Sequence, residues 1–198
     1  MDSWWHRLFL AVVLWAAAGA AVAQTCAAPG KDAPAGPTGV VNTYYAGNGN
    51  LAAGATTLNL GAASGAAVTL GVGDLLLVIQ MQGVTINSND DERYGSGSGT
   101  AGATPLTTVS QANGYTALNQ AGLHEFVRVT AVAGAAVTFT PALTNSYVQA
   151  TGVPRSTYQV IRVPQLPGVT LAGTVTPLAW TGLVGGVAAW RRWTWRGC

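Results

Sequence analysis

Residues 73–82, Gly-Asp-Leu-Leu-Leu-Val-Ile-Gln-Met-Gln, constrain the fold most, because at strand spacing they are apolar on both faces. Leu75, Leu77, Ile79 and Met81 share one face, and Leu76 and Val78 begin the other. A strand that buries both faces needs a paired neighbour on each edge, so it belongs in the middle of a sheet.

The rest of the chain supplies those neighbours. Residues 39–46 read as a strand through Val40, Val41, Thr43, Tyr44 and Tyr45. In residues 55–60, Leu58 and Leu60 face inward while Thr57 and Asn59 face out, with Asn48-Gly49-Asn50 as turn chemistry before them. Residues 124–132 place Val127, Val129 and Ala131 against Arg128 and Thr130; Ala133-Gly134 turns the chain into Val137 and Phe139, which predicts a hairpin. Residues 156–164 form one more strand around Tyr158, Val160, Ile161 and Val163, closed by Pro164 and Pro167, and residues 169–175 form a weaker one. Helix signals are nearly absent. With 26 Gly and only 8% charged residues, the composition suits short strands and turns. The expected class is all-β: a small barrel or sandwich of short, mostly antiparallel strands over residues 39–165, then the start of a larger β region over 166–189. Between 83 and 122 lies a Gly/Ser-rich insertion, longer than a passive connection needs and composed like a disordered or loosely ordered surface loop.

The beginning of the chain reads as an export signal. A short polar start, Asp2 to Arg7, precedes an apolar run over residues 8–18 and then Ala21-Val22-Ala23, which places signal cleavage between Ala23 and Gln24. That run is shorter than the roughly 20 residues a transmembrane helix needs, so no membrane span is expected in the mature chain. Residues 24–38 are rich in Pro, Gly and Ala and read as an extended linker. Gln24-Thr25 before Cys26 lacks the small residue a lipoprotein signal requires immediately ahead of its Cys. Cys26 and Cys198 permit a bridge in an exported chain without implying one.

Charge excludes one class of partner. The net charge is +2, but Arg191, Arg192 and Arg196 in the last nine residues account for the excess, and the other cations are scattered and mostly sit within strand-like runs. Nucleic-acid binders cluster such residues along one face, so nucleic acid is not expected as a partner.

Chemistry-bearing groups are sparse. The acidic loop holding Asn87, Asn89, Asp90, Asp91 and Glu92 offers oxygen ligands suited to Ca²⁺, which is the one candidate cofactor. It departs from an EF-hand: with Asn87, Asn89 and Asp91 in the first ligand positions, Glu92 falls where Gly must turn and Ser98 where the bidentate Glu belongs. His124 and Glu125 are adjacent, so on a strand they point to opposite faces and do not form an acid–base pair. A Ser-His-Asp triad would need His124 with a distant carboxylate such as Asp74, and no Ser carries nucleophile-elbow glycines. No catalytic residue is assigned.

The last nine residues, Trp190-Arg191-Arg192-Trp193-Thr194-Trp195-Arg196-Gly197-Cys198, resemble nothing before them. With GC-rich codons, a shifted frame starting in the Trp190 codon reads Ala-Ala-Val-Asp-Val-Ala-Gly-Leu, ordinary strand sequence, so this aberrant tail is expected to arise from a frameshift that truncates the protein. A surface-sorting signal or an interfacial Trp/Arg anchor are the rival readings.

Four strings carry a family resemblance. They are Cys26 to Asp32 with Gly39-Val40-Val41-Asn42-Thr43-Tyr44-Tyr45; residues 73–82 followed by Ile86-Asn87-Ser88; Gln159-Val160-Ile161-Arg162-Val163-Pro164-Gln165; and Ala179-Trp180-Thr181-Gly182 with Gly185-Gly186-Val187. In this order they resemble the N-terminal region of large exported bacterial surface proteins, many of which carry conserved-repeat β-sandwich domains further along. The resemblance covers about residues 26–189 and implies no catalytic residues. It implies a noncatalytic module of a secreted or surface-displayed protein, serving adhesion or assembly, with cell-surface or extracellular-matrix components as partners. The alternatives are the N-terminal part of a secreted polysaccharide-active β enzyme, or a carbohydrate- or calcium-binding module that uses the loop at 83–122.

Overall fold

The computed structural model describes residues 31–32, 36–87, 114–166, 170–187 and 191–192. Its strands are β1 (Thr43–Asn48), β2 (Thr57–Gly65), β3 (Leu75–Gln82), β4 (Thr85–Asn87) and β5 (Gly114–Ala117), then β6 (His124–Ala133), β7 (Ala136–Thr140), β8 (Thr157–Val163), β9 (Gln165–Leu166) and β10 (Arg191–Arg192). Six of them close a barrel in the order β1-β2-β7-β6-β3-β8, and every pairing around it is antiparallel. The all-β expectation therefore holds, and of the barrel and the sandwich it is the barrel.

The alternation in the sequence decides what lies inside. Tyr45, Leu58, Leu60, Leu76, Val78, Val127, Val129, Val137, Phe139, Tyr158 and Val160 point inward and form one continuous buried cluster with Leu51, Leu143 and Tyr147. At roughly 1.5–3 kcal/mol for each large side chain buried, this cluster is the main source of stability. Closing the sheet also removes its edges, which would otherwise offer unpaired backbone to other chains.

β3 is central, as its two apolar faces require: it pairs with β6 on one side and β8 on the other. Leu76 and Val78 fill the interior, while Leu75 and Leu77 enter a second cluster on the outer face with Tyr44, Ile161, Val163 and Val184. Leu178 and Val187 pack against this outer cluster. The barrel is thus covered on one wall by residues 178–187, which explains why all seven residues of β8 are buried.

Four details depart from the sequence expectations. β1 begins at Thr43 rather than residue 39; Gly39, whose φ of 66° lies in the left-handed region, instead bridges Val175. β2 runs on to Gly65, and the β1–β2 register shifts between Tyr45 and Gly47. Ala131, expected inward, is exposed: the β6–β7 register shifts between Val129 and Ala131, and a bulge reverses the facing of the residues beyond it. The hairpin turn falls one residue later than expected, at Gly134 and Ala135, with Ala133 opposite Ala136.

The insertion at 83–122 has an ordered base. β4 and β5 pair antiparallel, and the Asn119 side chain donates to Gly83 O at 2.7 Å and Thr85 Oγ1 at 2.9 Å. Residues 88–113 lie outside the described residues. Of the weaker strand expected at 169–175, residues 170–174 are not strand, and Val175 makes one parallel bridge to Gly39. No described helix is long and apolar enough to cross a membrane.

Candidate functional site

Polar groups gather at the two mouths of the barrel. At one mouth Arg162, inward-facing at the end of β8, donates through Nη2 to Asp74 Oδ1 at 3.0 Å and to Asp32. Asp74 also receives Lys31 and the backbone N–H of Gly71 at 2.7 Å. Asp32 turns its other oxygen to the Gln165 N–H at 2.6 Å, and its own N–H reaches Gln165 O at 3.2 Å. The Arg162 and Asp74 side chains are 5% and 1% exposed, so water does not screen this pair. Burial alone would raise the Asp74 pKa, but Lys31, Arg162 and the Gly71 N–H together hold it below the ordinary carboxylate range. Burial works against the Arg162 charge, yet Asp32 and Asp74 raise its pKa, so both partners stay ionised. Arg162 Nε is buried without a hydrogen-bond partner among the described residues.

At the other mouth Glu125 faces inward and gathers a loop. One carboxylate oxygen accepts from Thr144 N at 2.8 Å and Thr144 Oγ1 at 3.0 Å; the other accepts from Asn145 N at 3.1 Å and Tyr147 OH at 2.9 Å. Burial opposes its charge, but these donors outweigh burial and lower the Glu125 pKa. Burial, reinforced by the Glu125 charge, pushes the Tyr147 phenol far up. Beside them Gln80 donates to Val148 O at 2.9 Å and accepts from Val148 N at 2.9 Å, so one amide pins the same segment from both sides. Tyr147 and Tyr158, with ring centroids 6.0 Å apart, complete the plug.

A cleft of about 470 Å³ opens where β2 runs past the β6–β7 hairpin. Tyr45, Leu60, Gly61, Val68, Leu70 and Val132 are among its lining residues, and no charged residue lines it.

The sequence candidates fall as follows. Asn87 ends β4, opposite Gly114 in β5; Asn89, Asp90, Asp91 and Glu92 lie outside the described residues, as do Ala23, Gln24, Cys26 and Cys198. Among the described residues no three His, Cys, Asp or Glu side chains gather as a metal site. His124 and Glu125 do diverge: His124 is exposed, with Nδ1 3.0 Å from Gly122 O, while Glu125 turns to the 144–147 loop. Asp74 and His124 sit near opposite ends of the β3–β6 ladder, since Leu75 pairs with Arg128 and Ile79 with His124.

Lys31, Asp32 and Arg162 were not singled out by sequence reasoning as partners. The available signal was their scarcity: in a chain with 8% charged residues, an Arg within the apolar run of β8 must find a carboxylate.

Compared with known protein families, with characterised proteins and with solved structures, the chain finds no match. What the fold itself defines is a closed six-stranded antiparallel barrel with a filled interior.

Proposed function

We propose that this chain is a noncatalytic module of an exported bacterial protein, secreted or displayed at the cell surface, where it serves adhesion or assembly. The observation that carries this reading is the engagement of the buried polar groups with the protein's own chain. Glu125 and Gln80 hold residues 144–148, and Asp74, Asp32 and Arg162 join both flanking segments to the barrel. A carboxylate already accepting from several donors, with a lowered pKa, is a poor general acid or base near neutral pH. The export-signal pattern before Gln24 supplies the location, and cell-surface or extracellular-matrix components are the corresponding partners.

The test expresses the full chain in a bacterium and fractionates the cells. Expected are an extracellular or surface-held product beginning at Gln24, saturable binding to an immobilised matrix protein such as collagen or fibronectin, and no hydrolysis across a polysaccharide panel. Retention in the cytoplasm would contradict the export reading. Polysaccharide turnover abolished by Glu125→Gln would contradict the noncatalytic one.

A further inference from the structure

The segments on either side of the barrel in sequence lie against each other, and they run in the same direction. Asp32 exchanges contacts with the backbone of Gln165. Gly36 lies so close to Thr170 and Ala172 that a Cβ there would stand 2.7 Å from Thr170 O and 2.9 Å from Ala172 Cβ. A Cβ on Gly173 would meet Thr38 Oγ1 at 2.7 Å. Gly39 N–H then donates to Thr174 O at 2.8 Å, and Thr176 N–H to Gly39 O at 3.0 Å, making a parallel bridge with Val175 between them. Among the described residues, partner numbers rise together from 32 with 165 to 39 with 176.

Beyond it, residues 178–187 are locked to the outer wall. Gln159 donates to Gly185 O at 2.9 Å and accepts from Gly185 N–H at 2.9 Å, both buried. Tyr44 OH donates to Val187 O at 2.7 Å and accepts from Leu178 N–H at 3.4 Å.

We infer that this arrangement is a mechanical clamp: tension applied through the two flanking segments loads their contact in shear. Tension toward the N-terminus slides residues 32–39 along the parallel partners at 165–176, which the wall-locked residues 178–187 and the parallel pairing of β10 with β9 hold to the barrel against a pull from the C-terminal side. The Asp32 contacts, the Gly36 and Gly173 close approaches and the Gly39 hydrogen bonds then resist together rather than being peeled in turn. Forced unfolding is governed by the barrier to rupture, so loading contacts together slows it without requiring greater equilibrium stability. The clamp goes beyond the adhesion reading and does not depend on it, since it is a property of how the segments are laid.

The native Cys26 and Cys198, which precede and follow the clamp in sequence, provide handles for pulling. The reduced full chain is held through these thiols at constant force, and its unfolding rate is compared with that of an Ala135→Cys, Cys198→Ser variant held through Cys26 and residue 135. Asp32 and the exposed Ala135 sit at the same mouth of the barrel, so the second geometry pulls across the flanking segment and peels it. The expected result is unfolding at least about tenfold slower through Cys26 and Cys198. Gly36→Val, which forces the segments apart, should raise that rate about tenfold and leave the peeling rate nearly unchanged. Equal rates in the two directions would overturn the clamp, as would a Gly36→Val rate unchanged from the parent. If Gly36→Val does not fold, the comparison of directions decides alone.

Discussion

Replacing Arg162 by Met tests the charged mouth of the barrel most sharply. The substitution keeps an unbranched side chain in the wall of β8 but removes the donor that reaches both Asp32 and Asp74. Asp74 is left with Lys31 and the Gly71 N–H, its side chain 1% exposed. Breaking a buried ion pair from one side costs about 3–5 kcal/mol, because the remaining charge stays desolvated. Losing the partnerless Nε returns about 1 kcal/mol, which leaves a net loss of about 2–4 kcal/mol. With a urea dependence of about 2 kcal/mol/M, the unfolding midpoint followed by circular dichroism at pH 7 should fall by about 1–2 M. Asp74→Asn in the same background should add less than it does alone, by about 1–3 kcal/mol, because the two side chains are direct partners. The pH response should also change. With Arg162 gone, burial is opposed only by Lys31 and the Gly71 N–H, so the Asp74 pKa rises from its lowered value and the stability this carboxylate loses in acid becomes smaller. A midpoint within about 0.25 M of the parent, or additive losses in the double variant, would refute the reasoning.

Three further outcomes follow from the same contacts. In the parent protein Asp74 and Glu125 both have pKa values below their unfolded ones, so their stabilisation is present near neutrality and is lost as pH falls through the folded values; melting temperature should drop steeply below about pH 4, and Glu125→Gln should flatten that drop. Gln159→Leu leaves the buried Gly185 N–H and C=O without partners, costing about 1–3 kcal/mol for each group, so hydrogen exchange in residues 178–187 should accelerate at least tenfold while β6 and β7 keep their protection. Burial raises the pKa of Tyr44, Tyr45, Tyr147 and Tyr158, so in a spectrophotometric titration these four of the six tyrosines should ionise above the ordinary phenol range and return to it in urea.

The strands were legible where burial imposes a strict period of two. Leu58 and Leu60 are buried with Thr57 and Asn59 exposed, and Val127, Val129, Val137 and Phe139 are buried as their alternation requires. Legibility failed where a bulge resets the period, as at Ala131, and where small residues give no contrast between faces, as in the extension of β2 to Gly65. The doubly apolar β3 announced its central place but not its partners, because pairing with both β6 and β8 depends on contacts distant in sequence.

The polar mouths were less legible still. Asp74 and Arg162 stand 88 residues apart, and their meeting depends on the β3–β8 pairing. Gln80 and Gln159 interrupt apolar runs, a sign of buried amides, but the residues they hold lie in segments without periodicity. Residues 24–38 read as a linker by composition, while Lys31 and Asp32 within them bind the barrel through charge, which composition does not display.

Asp32, Gly39, Gly185 and Val187 tie both flanking segments to the filled barrel, so barrel and flanks should open as one cooperative unit. Native-state hydrogen exchange of the full chain in rising, sub-denaturing urea tests it directly by following the amides of Gly39, Thr176, Gly185 and Gly186 beside those of Tyr45 and Val160. The flanking amides should be protected, with opening energies that converge with those of the barrel before global unfolding. Flanking amides that exchange at free-peptide rates while Tyr45 and Val160 stay protected would contradict it.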